Sequence, residues 1–271
     1  MPIKFKQKPG LVLYLTAGDP DLLTTRDMAI SAIDAGADVI ELGVPFSDPL
    51  ADGPVIQRAS ERAVARGVRL VDVLAVCKEI RAARRQAGII LFSYLNPVVR
   101  FCGEQDGKPQ FAKFAAAAKE AGADGALLTD MIVEEAGEYL AAMREAGLAA
   151  IFLAAPTSPD GRLQAIAEAS AVTGVEGFLY AISRVGITGT QTELAADAES
   201  LVKRLKKFTK LPVALGFGIS NARHVAEVAQ FADAAVMGSA LVALVEKTPP
   251  SQAAEAVGRF VRKLRGGVVG S

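Results

Sequence analysis

Two acids close together in the chain, Glu41 and Asp52, frame the segment Glu-Leu-Gly-Val-Pro-Phe-Ser-Asp-Pro-Leu-Ala-Asp. Val39-Ile40 leads into it, which places Glu41 near the end of a buried strand. A loop stiffened by Pro45, Pro49 and Pro54 follows and carries Asp48 and Asp52. Burial disfavours a charged carboxyl and raises its pKa, which suits a general acid or base working near neutral pH. An acid on a loop stays better solvated and ionised. One carboxyl inside and one on the rim is a pattern that divides acid and base roles. The competing readings are a buried structural acid at Glu41, with the cost of an unpaired buried charge, and loop-capping acids at Asp48 and Asp52.

A second group of residues lies late in the chain. Ser183-Arg184 with Gly186 and Gly189, then Gly216-Phe217-Gly218, then Gly238-Ser239 each follow a short apolar run. Glycine lets backbone N–H groups approach an anion, and a following helix N-terminus favours negative charge. Two such loops in succession point to a phosphate, although simple tight turns would also need glycine. Arg184 could bind phosphate or lie in a lid hinged at Gly186 and Gly189. Tyr14, Phe92, Leu127, Leu153, Tyr180 and Phe217 fall at or beside the ends of apolar runs. They would line an apolar cavity, or simply fill a core. Beside two acids and a phosphate site, the cavity suggests a phosphorylated substrate with a flat apolar part.

These residues need a frame that gathers strand ends. Short apolar runs at 11–16, 38–42, 89–94, 125–129, 150–154, 177–182, 212–216 and 234–237 read as eight strands, apolar on both faces and therefore parallel and covered by helices. Helical spacing fills the gaps: Ala136, Leu140 and Met143 in one, Val225, Val228 and Ala229 in another. Gly36, Gly122 and Gly147 stand where helices should end. The segment Asp34-Ala35-Gly36-Ala37-Asp38 recurs as Glu120-Ala121-Gly122-Ala123-Asp124, and more faintly as Phe231-Ala232-Asp233-Ala234. A repeated αβ unit taken eight times predicts an α/β fold, a (β/α)8 TIM barrel of about 250 residues in one domain, 1–271, with active-site residues at the C-terminal strand ends. Gly103–Gln110 reads as a loop and Gly266–Ser271 as a flexible tail.

Composition excludes other classes. Thirty basic and thirty acidic residues leave no net charge, so nothing favours nucleic acid or an anionic membrane. No apolar stretch approaches the ~18 residues of a membrane span. Lys4, Lys6 and Lys8 before Leu11–Leu15 look superficially like a secretory leader, but the run is short and Gly18-Asp19-Pro20-Asp21 ends it as a turn. Cys77 and Cys102 have no metal or redox spacing and read as reduced thiols of a cytoplasmic protein. The single histidine, His224, sits in a helical pattern, so neither a histidine triad nor a histidine-rich metal site is expected.

Taken together, these residues resemble the tryptophan synthase alpha subunit family. The segment from Glu41 to Pro54, continuing through Ile56-Gln57, matches the family hallmark almost letter for letter. Leu15–Pro20, Tyr94–Pro97, Ala155–Asp160, Ser183–Gly189, Gly216–Ile219 and Gly238–Ala240 resemble its other loops in order. The resemblance implies a lyase that cleaves indole-3-glycerol phosphate to indole and glyceraldehyde 3-phosphate. Glu41 would protonate the indole ring carbon and then take the side-chain hydroxyl proton. Asp52 would accept the indole N–H. Gly189, Phe217, Gly218, Gly238 and Ser239 would hold the phosphate, with Tyr180 beside the substrate and Thr188 ordering a lid over Asp52. No cofactor or metal is expected in this chain. The implied partner is a beta subunit carrying pyridoxal phosphate, in an α2β2 complex. A stand-alone lyase and a non-catalytic activator of the beta subunit are the alternatives.

Two features depart from the family pattern. The family usually has a longer helical segment before the first strand, whereas here Leu11 follows a segment of ten residues. Ile132 stands where the family commonly has proline, although Asp130 is kept. That loop faces the beta partner in relatives, which implies altered affinity or coupling.

Overall fold

The structure is a computed structural model that describes residues 3–182, 191–216 and 218–266, with 191–196 described by their backbone alone. Arg184, Thr188, Gly189, Phe217 and residues 267–271 lie outside the described residues.

The strands are β1 (Gly10–Thr16), β2 (Val39–Gly43), β3 (Gly88–Ser93), β4 (Glu104–Gln105), β5 (Lys108–Pro109), β6 (Gly125–Leu128), β7 (Ala149–Ile151), β8 (Leu153–Ala154), β9 (Leu179–Ile182), β10 (Val213–Gly216) and β11 (Ala234–Met237). Nine of them form one parallel sheet in the order β7-β6-β3-β2-β1-β11-β10-β9-β8. The two ends of that order are pieces of a single stretch, 149–154, interrupted at Phe152. The ladder therefore leaves this stretch on one side and returns to it on the other, which is the closed eight-stave (β/α)8 TIM barrel read from the sequence. The fifth stave differs from expectation in being split. Phe152 bridges the pieces, its carbonyl accepting the Tyr180 N–H at 3.2 Å.

Register fixes what faces inward. Tyr14 pairs with Glu41, Glu41 with Ile90, Gly43 with Phe92, Phe92 with Leu127, and Leu153 with Tyr180. Side chains alternate along a strand, so these positions share the barrel interior. Val12, Val39, Ile90, Leu127, Ile151, Ala214 and Val236 fill it, and Ile3, Phe5 and Phe178 complete the same cluster. Phe5 packs on Phe178 with ring centroids 6.0 Å apart, and the Ile3 N–H donates to Glu176. The short segment before β1 thus plugs the barrel floor with its own side chains.

The acids of the recurring αβ segment sit at that floor. Asp38 accepts the Leu11 N–H, Asp124 the Ile89 N–H and Asp233 the Val213 N–H, in each case from the preceding stave. Arg265, Arg81 and Lys206 neutralise them in the same order. Each acid satisfies an N–H in the first two residues of a strand, so the repeat is a stability device. Gly36, Gly122 and Gly147 follow their helices with φ of 111°, 83° and 63°, the left-handed region where glycine costs least.

Helices Leu22–Asp34, Leu70–Ala83, Phe111–Glu120, Gly137–Ala146, Asp160–Ala171, Gln191–Leu205, Ala222–Val228 and Pro250–Gly266 occupy the gaps. Three more, Pro54–Ala65, Leu95–Cys102 and Ser239–Glu246, begin close after β2, β3 and β11. Two readings need correction. Gly103–Gln110 is not all loop but holds the β4–β5 hairpin, whose Asp106-Gly107 turn takes φ of 52° and 74°. An Asp-Gly pair between short runs is the usual signal for that turn. Gly266 is the last residue of a helix rather than the start of a tail. No helix among the described residues is long and apolar enough to cross a membrane.

Candidate active site

β2 carries Glu41 into the barrel two residues before its end. The residue is fully buried, and neither carboxyl oxygen has a hydrogen-bond partner among the described residues. Desolvation alone pushes its pKa up from 4.5 to about 8. A carboxyl in this state is protonated at neutral pH and has a proton to give.

Asp52 ends the loop after β2, just before Gly53-Pro54 opens the next helix. Proline suits that first helical position because its missing N–H would be unpaired there anyway. The loop is pinned at several points. Ser60 Oγ accepts the Phe46 N–H at 2.8 Å and donates back to the Phe46 carbonyl at 2.9 Å. Gln57 Nε2 donates to the Asp52 carbonyl at 2.9 Å, and Tyr94 Oη accepts the Ala51 N–H at 2.9 Å. The sequence reading of Asp52 as a loop acid better solvated than Glu41 understates its burial. Its carboxyl is half-buried, and burial lifts its pKa from 3.8 to about 6 against the lowering effect of a 3.0 Å hydrogen bond from Tyr94. Tight anchoring of the loop against the barrel rim is the physical reason. Asp48 is exposed, bonded to Ser47, and does not join the pair.

Aromatic residues surround the two acids. Tyr14 is raised above its ordinary pKa by burial and then by the charges of Asp52 and Glu41. Tyr180 is raised by burial and by the same two acids. These couplings bring Glu41, Asp52, Tyr14 and Tyr180 near one another, with Glu41 two residues from the C-terminal end of β2. Tyr14 meets Phe92 edge-on at 5.2 Å, while Phe92, Leu153 and Tyr180 pack against the interior cluster that contains Leu127. The five described residues expected to line the apolar cavity thus all face the interior. Gly43 makes room for Tyr14: an added Cβ would stand 2.2 Å from the Tyr14 hydroxyl. Gly216 does the same for Tyr180, at 2.8 Å.

Gly238 precedes the helix Ser239–Glu246 as its N-cap, and Ser239 is exposed. A Cβ on Gly238 would lie 3.4 Å from Ile56 and 3.6 Å from Tyr14, which is near ordinary contact, so protein packing does not by itself demand glycine there. Gly218 is exposed with φ of 46°. Gly189, Phe217 and Thr188, the other expected ligand contacts, lie outside the described residues.

Three features of the site went unread in the sequence. Tyr94 is the polar partner of Asp52. Helix Pro54–Ala65 lies over the β1 end, with Ala59, Ile56 and Val242 packed around Tyr14. Arg62 clasps this helix to the β1 loop through Asp19 at 2.7 Å and to the end of helix Ser239–Glu246 through Glu246 at 2.9 Å. A separate depression of about 1010 Å³ lies on the outer side of the β2 loop, between Val64–Val71 and Asn96–Glu104, and holds neither acid. Among the described residues no cluster of three or more His, Cys, Asp or Glu could hold a metal ion. Cys77 and Cys102 are free and buried, and burial pushes the Cys77 thiol up to about 12.

Comparison with known proteins agrees with the geometry. A family described as tryptophan synthase alpha chain matches residues 2–267. The tryptophan synthase alpha chain of Solibacter usitatus is 45% identical over 266 residues, covering 98% of this chain and 94% of that one. That of Burkholderia thailandensis is 44% identical over 264 residues, covering 97% and 93%. Among solved structures, a tryptophan synthase complex from Pyrococcus furiosus superposes with a TM-score of 0.83 at 36% identity, covering 96% of this chain and 99% of that one. Tryptophan synthase subunit alpha from Legionella pneumophila gives 0.83 at 34% identity, covering 98% and 94%. With match and fold running nearly end to end, the chain belongs to the tryptophan synthase alpha chain family.

Proposed function

We propose that this protein is a lyase that cleaves indole-3-glycerol phosphate to indole and glyceraldehyde 3-phosphate, as the alpha subunit of tryptophan synthase. The observation that supports the reading is the buried Glu41 carboxyl, without a hydrogen-bond partner among the described residues, together with the half-buried Asp52 on the loop that follows its strand. Near neutral pH Glu41 is protonated and Asp52 is largely ionised. Glu41 gives its proton to the indole ring carbon that bears the side chain. Asp52 accepts the indole N–H and offsets the positive charge that develops on the ring. The protonated ring is then the electron sink that the carbon–carbon bond needs in order to break. Glu41, now a carboxylate, takes the side-chain hydroxyl proton as the aldehyde forms. Glu41 works with the proton that its burial keeps on it, and Asp52 works as the carboxylate.

Gly218, Gly238 and Ser239, with Gly189 and Phe217, hold the phosphate. The start of helix Ser239–Glu246 supports this role, because free N–H groups and the helix dipole favour an anion there. Tyr14, Phe92, Leu127, Leu153 and Tyr180 enclose the indole, and Thr188 belongs to the lid. The working unit is α2β2. Pyridoxal phosphate belongs to the beta partner, the barrel is the alpha chain's single domain, and the reaction is cytoplasmic.

The test is indole release from indole-3-glycerol phosphate with and without a beta subunit. Slow turnover that rises sharply with the partner is expected. No turnover by folded protein in either condition would overturn the roles of Glu41 and Asp52.

A further inference from the structure

The Asp52 loop is held from the neighbouring strand by a single side chain. Tyr94 follows β3 and is the N-cap residue of helix Leu95–Cys102. Its ring is buried and packs on Phe46, with centroids 5.2 Å apart. Its hydroxyl accepts the Ala51 N–H at 2.9 Å and lies 3.0 Å from Asp52 Oδ2. A phenol has one proton. With a lone pair engaged by the Ala51 N–H, that proton is directed to the Asp52 carboxylate. Bonds to consecutive residues fix both the main chain before Asp52 and one of its carboxyl oxygens, and no described residue bonds Oδ1.

We propose that Tyr94 is a positioning residue for the lyase reaction, its hydroxyl aiming the Asp52 carboxylate at the substrate and keeping it ionised. The inference rests on the function proposed above. A hydrogen bond to the charged form of an acid favours that form, and here it opposes the burial that pushes Asp52 the other way. Among the described residues, the titratable groups that feel the Asp52 charge are Tyr14 from β1, Tyr180 from β9 and Tyr94 itself, and Glu41 from β2 acts on Tyr14 and Tyr180 beside it. Asp48, on the same loop, points to solvent. All three tyrosines are raised further above their ordinary range, by burial first and by Asp52 among the nearby charges. They stay neutral wherever the acids titrate. Among the described groups here, only Asp52 can set an acid-side limb near its own pKa of about 6, because Glu41 titrates near 8.

The test is Tyr94→Phe, which removes the hydroxyl and keeps the ring on Phe46. In the complex with a beta subunit, kcat at pH 5 should fall about tenfold, the scale of a lost charge-assisted hydrogen bond, and only about twofold at pH 7. The acid limb should move up by about one pH unit, so the deficit shrinks at higher pH, while KM changes little. A merely structural role would lower kcat equally at every pH, and that outcome overturns the proposal. A second measurement does not need turnover. Infrared titration of the full-length protein, with Asp52→Asn used to assign the Asp52 carboxyl band, should show its midpoint rise in Tyr94→Phe. An unmoved midpoint overturns the proposal even if activity is lost. If the parent protein releases no indole, the function fails, and the infrared titration still decides the Tyr94–Asp52 contact on its own.

Discussion

Replacing Glu41 with glutamine should abolish indole release and also change how stability depends on pH. In the folded chain this carboxyl is raised from 4.5 to about 8. Between those values the folded state keeps a proton that the unfolded state has released. The unfolded state therefore binds fewer protons, and stability falls as pH rises through this window. At about 1.36 kcal/mol per unit, the full displacement is worth on the order of 5 kcal/mol well above pH 8. Integrated from pH 5 to pH 8 it is about 3 kcal/mol. Glutamine carries no such dependence. Burying its amide imposes a cost, but a constant one, and Asp52 titrates in both proteins and largely cancels. The stability of Glu41→Gln minus that of the parent should thus grow by about 3 kcal/mol across this range. Urea unfolding at pH 5, 6, 7 and 8, followed by far-ultraviolet circular dichroism, measures it directly. Parallel stability curves for the two proteins would refute the reasoning, because they would mean that Glu41 is not held protonated by burial.

The same two values predict a bell-shaped dependence of kcat/KM on pH, with limbs near 6 and 8, since Asp52 must be ionised and Glu41 protonated; a profile flat from pH 5 to 9 would contradict this division of roles. Gly43→Ala should cost about 1–3 kcal/mol in urea unfolding and depress turnover by displacing Tyr14, because the new methyl would stand 2.2 Å from its hydroxyl; parent-like stability and turnover would show that the contact relaxes freely. Arg265→Met should destabilise the barrel floor by about 3–5 kcal/mol, since it strips the buried Asp38 carboxylate of its 2.6 Å partner and frees the carbonyls of Gly36 and Pro9; a loss under about 1 kcal/mol would mean that the main-chain N–H groups of Lys6 and Leu11 suffice for Asp38.

Most of the frame could be read from the sequence because parallel strands buried on both faces write themselves as short apolar runs. The eighth run, 234–237, became β11 without change of bounds, and Glu41 came out on the strand expected for it. The fifth run did not come out whole, since apolar residues on both sides of Phe152 give no hint of a break in the ladder. The exposure of Asp52 was misjudged for a different reason. Loop composition implies solvent, but the loop is drawn inward by Gln57 and Ser60 of the next helix and by Tyr94, whose contact spans 43 residues and is revealed only by the fold. Arg62 is similar. Its bond to Glu246 spans 184 residues, and no spacing rule connects such positions.

Both acids are raised, so the pair divides its work by order rather than by one group being shifted and the other left alone. Glu41 has no hydrogen-bond partner among the described residues and titrates near 8, while Asp52 has the Tyr94 hydroxyl and titrates near 6. The interval between them is the range in which one can donate while the other is charged. That interval narrows from below if Asp52 loses Tyr94, and from above if Glu41 gains a hydrogen-bond donor or access to water. Gly43 and Gly216 keep Tyr14 and Tyr180 seated close around the two acids, and these rings are part of what keeps water out. A substitution that loosens either ring should therefore lower the Glu41 pKa and pull in the alkaline limb, even though it touches neither acid. This follows from desolvation being the sole cause of the Glu41 shift: whatever hydrates Glu41 takes away the proton that the reaction begins with.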